Sequence, residues 1–316
     1  MKRLLLLVLT AVLLLGAPAV LSSCAAPLSD AEISVVAMNF AAYDFAAEVA
    51  GRNNARVSVE LLAGGDSHSF NPTFRDVASI QNCDLFLYVG GESDSAVDTI
   101  LASCPGVNTL RMIDCVPLLE EEHDHDHAHE EEGKSETEYD EHVWTSPENA
   151  ILIVNRIEEA LSELDPAFRE TYRKNAAAYC EALEALDRDF RALFASCRQP
   201  LVFGDRFPFL YFAKSYGLIC YAAFPGCSSA SEPTPKVVLS LIDTIEREGV
   251  TTVFYIESGT HSVAFRLAEE TGTEAALLHS CHKVSPEEIE AGATYLSLMR
   301  QNYETLVRAV SPAAEQ

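Results

Sequence analysis

The feature that most constrains the fold is an alternation of strand-like and helix-like segments that occurs twice along the chain. Before the middle of the chain, short apolar runs typical of strands are separated by helical patterns, at 33–38, 56–62, 84–89 and 108–113. After Pro200 the alternation restarts, with strand patterns at 201–203, 218–224, 251–256 and 274–278. Strands separated by helices form parallel sheets that helices cover on both faces. The sequence therefore predicts an α/β protein of two lobes, each with a mainly parallel sheet.

The segment between the two alternating regions is helical. Ser146-Pro147-Glu148 predicts the start of one helix, and Asp165-Pro166 predicts the start of another. Apolar residues then recur every three or four positions, at Phe168, Tyr172, Ala176, Tyr179, Leu183, Leu186, Phe190 and Leu193. About 30 residues at 1.5 Å each give a rod of about 45 Å, long enough to connect two lobes. An ordinary amphipathic helix against one core is the alternative.

These patterns predict three parts in the body of the chain. Residues 32–145 form an N-terminal lobe, residues 146–198 a helical connector that includes the long rigid helix, and residues 199–316 a C-terminal lobe. An acidic loop, residues 120–141, interrupts the first lobe. It has almost no apolar residues, so it cannot bury enough surface to fold by itself.

The N-terminus has the pattern of an export signal. Lys2 and Arg3 precede an apolar run from Leu4 to Leu21, which is long enough that an uncleaved membrane anchor is the alternative. The following Leu21-Ser22-Ser23-Cys24 resembles the lipobox of bacterial lipoproteins. We therefore predict a signal peptide at 1–23, lipidation of Cys24, a tether at 24–31, and an extracytoplasmic protein anchored to the cell membrane.

Charge and cysteine content exclude several classes of function. The net charge is -26, which disfavours nucleic acid as a partner and favours cations. Nine cysteines are present, and the eight that remain after Cys24 are an even number that permits disulfides. No C-x-x-C motif occurs, so a thiolate zinc cluster is not expected.

Histidines mark the candidate metal sites. Four of the nine histidines alternate with carboxylates within residues 122–130, a composition suited to Zn²⁺, although a solvated charged loop is the alternative. Flexible loops bind ions weakly, so the main site is expected elsewhere. His68, His142, His279 and His282 instead stand at or near the ends of strands, where α/β proteins place their ligand crevice.

Two of these histidines lie in motifs with a family resemblance. Residues 66–73 (DSHSFNPT) and 140–150 (DEHVWTSPENA) resemble the D-P-H-x-Y-E-P and D-P-H-x-W-L-x-P motifs of zinc and manganese ABC-transporter solute-binding lipoproteins. The resemblance covers nearly all of the mature chain, including the His-rich loop and residues 295–302. It implies two lobes joined by a rigid helix, with one ion held between them by histidines and a carboxylate.

The second lobe departs from the family pattern. The family's third histidine has no counterpart in residues 203–209, where Asp205 is the only candidate ligand. The family's aspartate turn corresponds to His279-Ser280-Cys281-His282, so His279 takes its place. Asp205 thus stands where the family has a histidine, and His279 stands where it has an aspartate. With these two roles exchanged, the resemblance predicts His68, His142, Asp205 and His279 as metal ligands. Other second-lobe candidates stay open: Glu257, Cys281 and His282, with Cys281 alternatively in a disulfide with Cys227.

The predicted function is capture of Zn²⁺, with Mn²⁺ as the alternative ion, and its delivery to an ABC permease in the membrane. The chain has no G-x-x-x-x-G-K-[ST] motif, so ATP hydrolysis would occur on another subunit. We expect a monomer that is not an enzyme. A secreted zinc hydrolase is the first alternative, but H-E-x-x-H and G-x-S-x-G are absent. A surface adhesin on the same scaffold is the second.

Overall fold

A computed structural model describes residues 32–52, 54–62, 71–121, 138–224 and 233–310. The predicted signal peptide, Cys24, the tether, His68, Cys227 and most of the acidic loop lie outside these residues. None of the helices in the described part of the chain has the length and apolarity needed to cross a membrane.

The first sheet contains four parallel strands in the order β2-β1-β3-β4. The strands are β1 (Ile33–Ala37), β2 (Val57–Leu61), β3 (Leu85–Tyr88) and β4 (Thr109–Arg111). The helices of this lobe are α1 (Phe40–Ala50), α2 (Phe74–Asn82) and α3 (Ser95–Ala102). All four residues of the central strand β3 are buried, which explains its unbroken apolar sequence.

The second sheet repeats this arrangement with the order β6-β5-β7-β8, again with every strand pair parallel. Its strands are β5 (Leu201–Phe203), β6 (Cys220–Ala222), β7 (Thr252–Tyr255) and β8 (Glu274–Leu277). The helices are α6 (Leu210–Tyr216), α7 (Pro235–Glu248), α8 (Ser262–Thr271), α9 (Pro286–Glu290) and α10 (Tyr295–Val310). The predicted fold class, two lobes with parallel sheets flanked by helices, is confirmed.

Two helices connect the sheets, α4 (Pro147–Leu164) and α5 (Arg169–Phe194). The 26 residues of α5 correspond to about 39 Å. Tyr179 on this helix donates to the Asp44 carboxylate of α1 at 3.1 Å. Near its other end, the Phe190 ring packs edge-on against Phe212 of α6, with ring centroids 4.9 Å apart. The long helix therefore contacts both lobes, as predicted.

The hydrophobic core is continuous between the lobes. One buried cluster includes Val35 and Leu87 of the first sheet and Phe203 and Phe254 of the second. It also includes the apolar faces of α4 and α5. Smaller clusters cover the opposite face of each sheet.

One helix begins later than predicted: α5 starts at Arg169, three residues after Pro166. Helix α2 begins at Phe74, because the Thr73 side chain accepts the Asp76 N–H while the Asp76 carboxylate accepts the Thr73 N–H, a capping box. Ser285 forms a second capping box, and the helix that it opens ends at Glu290. Gly292 follows with φ of 83°, a left-handed conformation that ends a helix, and α10 then begins separately.

Candidate metal centre

His142 lies between the acidic loop and α4, just before a short helical turn at Val143–Thr145. Only 4% of it is exposed. Its backbone N–H donates to Asp140 Oδ1 at 2.8 Å, and its Nδ1 lies 3.3 Å from the same oxygen. The carbonyl of Asp140 accepts the Tyr211 hydroxyl of the second lobe at 3.0 Å. These contacts hold the segment that carries His142 against the second lobe.

His282 belongs to a turn, residues 279–283, that follows β8. It is buried, with 9% exposure. Cys281, the preceding residue, has φ of 58°, so the chain reverses through a left-handed residue. The His282 N–H lies within hydrogen-bond distance of Glu257 Oε1 and Ser280 Oγ, both at 3.3 Å. The conformation of this turn therefore depends on contacts that are distant in sequence.

The structure brings His142 and His282 together. Their ring centroids are 5.8 Å apart and their planes are 77° apart. Trp144 lies against both rings, at 5.5 Å from His142 and 5.4 Å from His282. Its indole N–H donates to the Ser280 carbonyl at 2.9 Å, which ties the first lobe to the turn. Imidazoles that bind one Zn²⁺ through bonds of about 2.0–2.1 Å have ring centroids roughly 5–6 Å apart, so this spacing fits a shared ion.

His279 has a different environment. It is 2% exposed, and its Nδ1 accepts the Cys281 N–H at 2.9 Å. A neutral ring that accepts at Nδ1 carries its proton on Nε2. That Nε2 has no hydrogen-bond partner in the part of the chain that the structure describes. That nitrogen lies 3.8 Å from Glu288 Oε1, and the ligand role of His279 stays a prediction.

Asp205, at the end of β5, pairs with a histidine that sequence reasoning missed. Its Oδ2 lies 3.2 Å from Nδ1 of His261, and its Oδ1 accepts the Arg206 N–H at 2.9 Å. His261 precedes α8 in a left-handed conformation with φ of 55°, and its ring lies 4.7 Å from that of Tyr255. His261 also follows a strand, β7. The expectation that ligands lie after strand ends, which selected His279, could therefore have identified His261 as well. The ligand role of Asp205 stays a prediction.

The cysteines of the described residues are free thiols. Burial raises the pKa of Cys281 well above its usual value, and it raises the pKa of Cys83, Cys115 and Cys180 to about 11. The candidate roles of Cys281 as a ligand or as a disulfide partner of Cys227 stay predictions, because Cys227 lies outside the described residues.

Within the described ranges, no group of three or more His, Cys, Asp or Glu side chains is arranged to hold a metal ion. The ligand candidates that the described residues bring together are therefore two, His142 and His282. Residues 63–70, with the predicted ligand His68, lie outside the described part.

Comparison with known proteins gives the family. The family model of the zinc-uptake complex component A, periplasmic, matches residues 35–309. The chain belongs to this family. Its members are solute-binding proteins and not enzymes, which confirms that part of the prediction.

Individual relatives agree with this assignment. The chain is 30% identical over 291 residues to zinc-binding protein AdcA of Streptococcus pyogenes, which covers 88% of this chain and 56% of that protein. It is 30% identical over 280 residues to the high-affinity zinc uptake system protein ZnuA of Bacillus subtilis, covering 87% and 86%. The chain thus spans little more than half the length of its AdcA relatives.

Solved structures share the fold. The Zn(II)-bound ZnuA-like domain of Streptococcus pneumoniae AdcA has a TM-score of 0.71 at 28% identity, covering 89% of this chain and all of that domain. The laminin-binding protein Lmb of Streptococcus agalactiae, described as bifunctional with adhesin and metal-transporting activity, has a TM-score of 0.70 at 25% identity. The match covers 88% of this chain and 100% of the Lmb chain.

Proposed function

We propose that this protein is the extracytoplasmic zinc-binding component of an ABC-type uptake system. The observation that carries the proposal is the buried pair of imidazoles, His142 and His282, whose ring centroids lie 5.8 Å apart beside Trp144, one from each lobe. Zinc is the transported substrate. Imidazole ligands favour Zn²⁺ over Mn²⁺ because Zn²⁺ is softer and binds nitrogen more tightly.

The proposed ligand set joins residues from both lobes. His142 and His282 bind the ion, and His68 supplies a third imidazole. Asp205 is the candidate carboxylate ligand. To bind the ion, its side chain would have to give up its contact with His261. The position of Trp144 supports this site, because an apolar ring beside two imidazoles limits access of water to the metal.

The proposal also covers the membrane anchoring and the partner of the protein. The lipobox-like sequence at Cys24 supports a lipid anchor, and a relative in Streptococcus pneumoniae is named a zinc-binding lipoprotein. The chain acts as a monomer that delivers its ion to a membrane permease.

The His-rich loop supplies weaker sites that raise the local concentration of zinc. A second role as an adhesin has one specific support, the likeness to the bifunctional Lmb.

Metal titration of a soluble form beginning at Ala25 tests the proposal. We expect about one tightly bound Zn²⁺ per chain, additional weak sites, and weaker binding of Mn²⁺ in competition. Deleting residues 122–137 should remove the weak sites and keep the tight one. This deletion retains Glu120 and Tyr139, which pair at the base of the loop.

Either of two results would contradict the proposal. A deletion variant that loses tight binding would place the main site in the loop. Tight binding of Mn²⁺ in preference to Zn²⁺ would assign a different transported ion.

A further inference from the structure

Glu257 makes an unusual number of contacts with the turn that carries His282. It follows β7, and its side chain is 8% exposed. Its Oε2 accepts the Ser280 N–H at 2.8 Å. Its Oε1 accepts the Ser280 hydroxyl at 2.6 Å, the Lys283 N–H at 3.2 Å and the His282 N–H at 3.3 Å. One carboxylate thus receives four donors from a single turn.

These donors explain why the turn holds its shape. Cys281 adopts a left-handed backbone conformation that L-residues other than Gly, Asn and Asp rarely take. Such a conformation persists only where surrounding contacts determine it. The N–H groups of Ser280, His282 and Lys283 converge on one anion and supply such contacts. Without the carboxylate, those of Ser280 and Lys283 would lose their acceptor.

The same contacts argue against Glu257 as a metal ligand. Each carboxylate oxygen offers about two lone-pair sites; three donors converge on Oε1 and one reaches Oε2. Its Oε2 also lies 3.7 Å from Nδ1 of His279, a ring that accepts the Cys281 N–H. A metal ion could reach Oε1 only if the turn lost hydrogen bonds.

The turn is held from other sides as well. Trp144 of the first lobe donates to the Ser280 carbonyl. Asn302 of α10 accepts the His279 N–H at 2.7 Å and donates to the His279 carbonyl at 2.7 Å. The backbone N–H of His282 itself is contacted by Glu257 Oε1 and, within the turn, by Ser280 Oγ, which Glu257 also holds.

We propose that Glu257 is a positioning residue for zinc binding: it does not touch the ion, and it fixes the backbone of His282 so that the ring faces His142. This inference rests on the proposed function and assigns Glu257 a role different from that of a competing ligand.

Glu257→Gln, in the soluble form that begins at Ala25, tests the proposal. The amide is isosteric, but it replaces an acceptor oxygen with a donor that faces the turn's N–H groups. We expect Zn²⁺ affinity, measured by competition with a chelating dye, to fall about 10- to 100-fold. The absorption spectrum of the Co²⁺-loaded variant should match that of the wild type, because the ligands are unchanged. Glu287→Gln, an exposed carboxylate on α9, is the control and should leave affinity unchanged.

Other outcomes would overturn the proposal. An altered Co²⁺ spectrum would make Glu257 a ligand. A lower unfolding temperature with unchanged Zn²⁺ affinity would leave it only a structural role. If Glu257→Gln does not fold, Glu257→Asp, which retains the charge but shortens the side chain, is measured in the same way with the same expectation.

A parallel His282→Ala variant separates this inference from the proposed function. Zinc affinity lost in His282→Ala but retained in Glu257→Gln would refute the positioning role alone. Zinc affinity retained in both variants would refute the ligand role of His282 as well, whereas absence of tight zinc binding in the wild type would refute the proposed function.

Discussion

Replacing His282 by alanine is expected to lower the affinity for Zn²⁺ roughly 10²- to 10³-fold. Four-ligand zinc sites bind with about 10–16 kcal/mol, so each ligand contributes roughly 2.5–4 kcal/mol. A tenfold change in affinity corresponds to about 1.4 kcal/mol. The His282 ring is one of two imidazoles that the described structure brings together, and its loss would leave His142 without a facing imidazole from the second lobe.

The matched comparison is His279→Ala, three residues earlier in the same turn. We expect a smaller loss of affinity, because the Nδ1 of His279 already accepts the Cys281 N–H. Chelator competition at neutral pH measures both variants, and circular dichroism checks that each is folded. A larger loss for His279→Ala than for His282→Ala would transfer the ligand role to His279, as the sequence resemblance implied.

Phe190→Ala is expected to destabilise the protein by about 3–5 kcal/mol, the range for removing a buried phenylalanine side chain. The residue is fully buried on the long helix α5. Its ring lies 4.9 Å from Phe212, 5.5 Å from Tyr216 and 5.6 Å from Tyr303, measured between centroids. These contacts attach α5 to two helices of the second lobe, so alanine would leave a cavity where the lobes are joined.

The control is the same substitution at an exposed position. Phe74, the first residue of α2, is 98% exposed, and Phe74→Ala should change stability by no more than about 0.5 kcal/mol. Urea denaturation of both variants gives the free energies of unfolding. Equal effects would mean that the aromatic contacts of Phe190 do not stabilise the junction between the lobes.

Much of the fold could be predicted from the sequence. Buried parallel strands have unbroken apolar runs, and the eight strands of the described residues lie within the predicted segments. The apolar residues that recur every three or four positions likewise predicted the long helix α5. Helix ends were less predictable. The capping box at Ser285 marks a start, but the break at Gly292 depends on a left-handed turn that local pattern does not specify.

The site was only partly predictable, for a physical reason. Motif resemblance identified His142, and the structure places it at a buried position between the lobes. Whether His279 or His282 faces it depends on the left-handed Cys281 and on the contacts of Glu257, which lies more than 20 residues away. The pairing of Asp205 with His261 joins residues that are 56 positions apart. Such contacts arise from packing and leave no periodic trace in the sequence.

The most direct test of a zinc ion shared between the lobes is a crystal structure of the zinc-loaded protein, with anomalous scattering recorded at the zinc edge. We predict one strong zinc peak between the rings of His142 and His282, with one nitrogen of each at about 2.0–2.1 Å from the metal. A strong peak at any other place, with neither of these rings bound to it, would contradict the account.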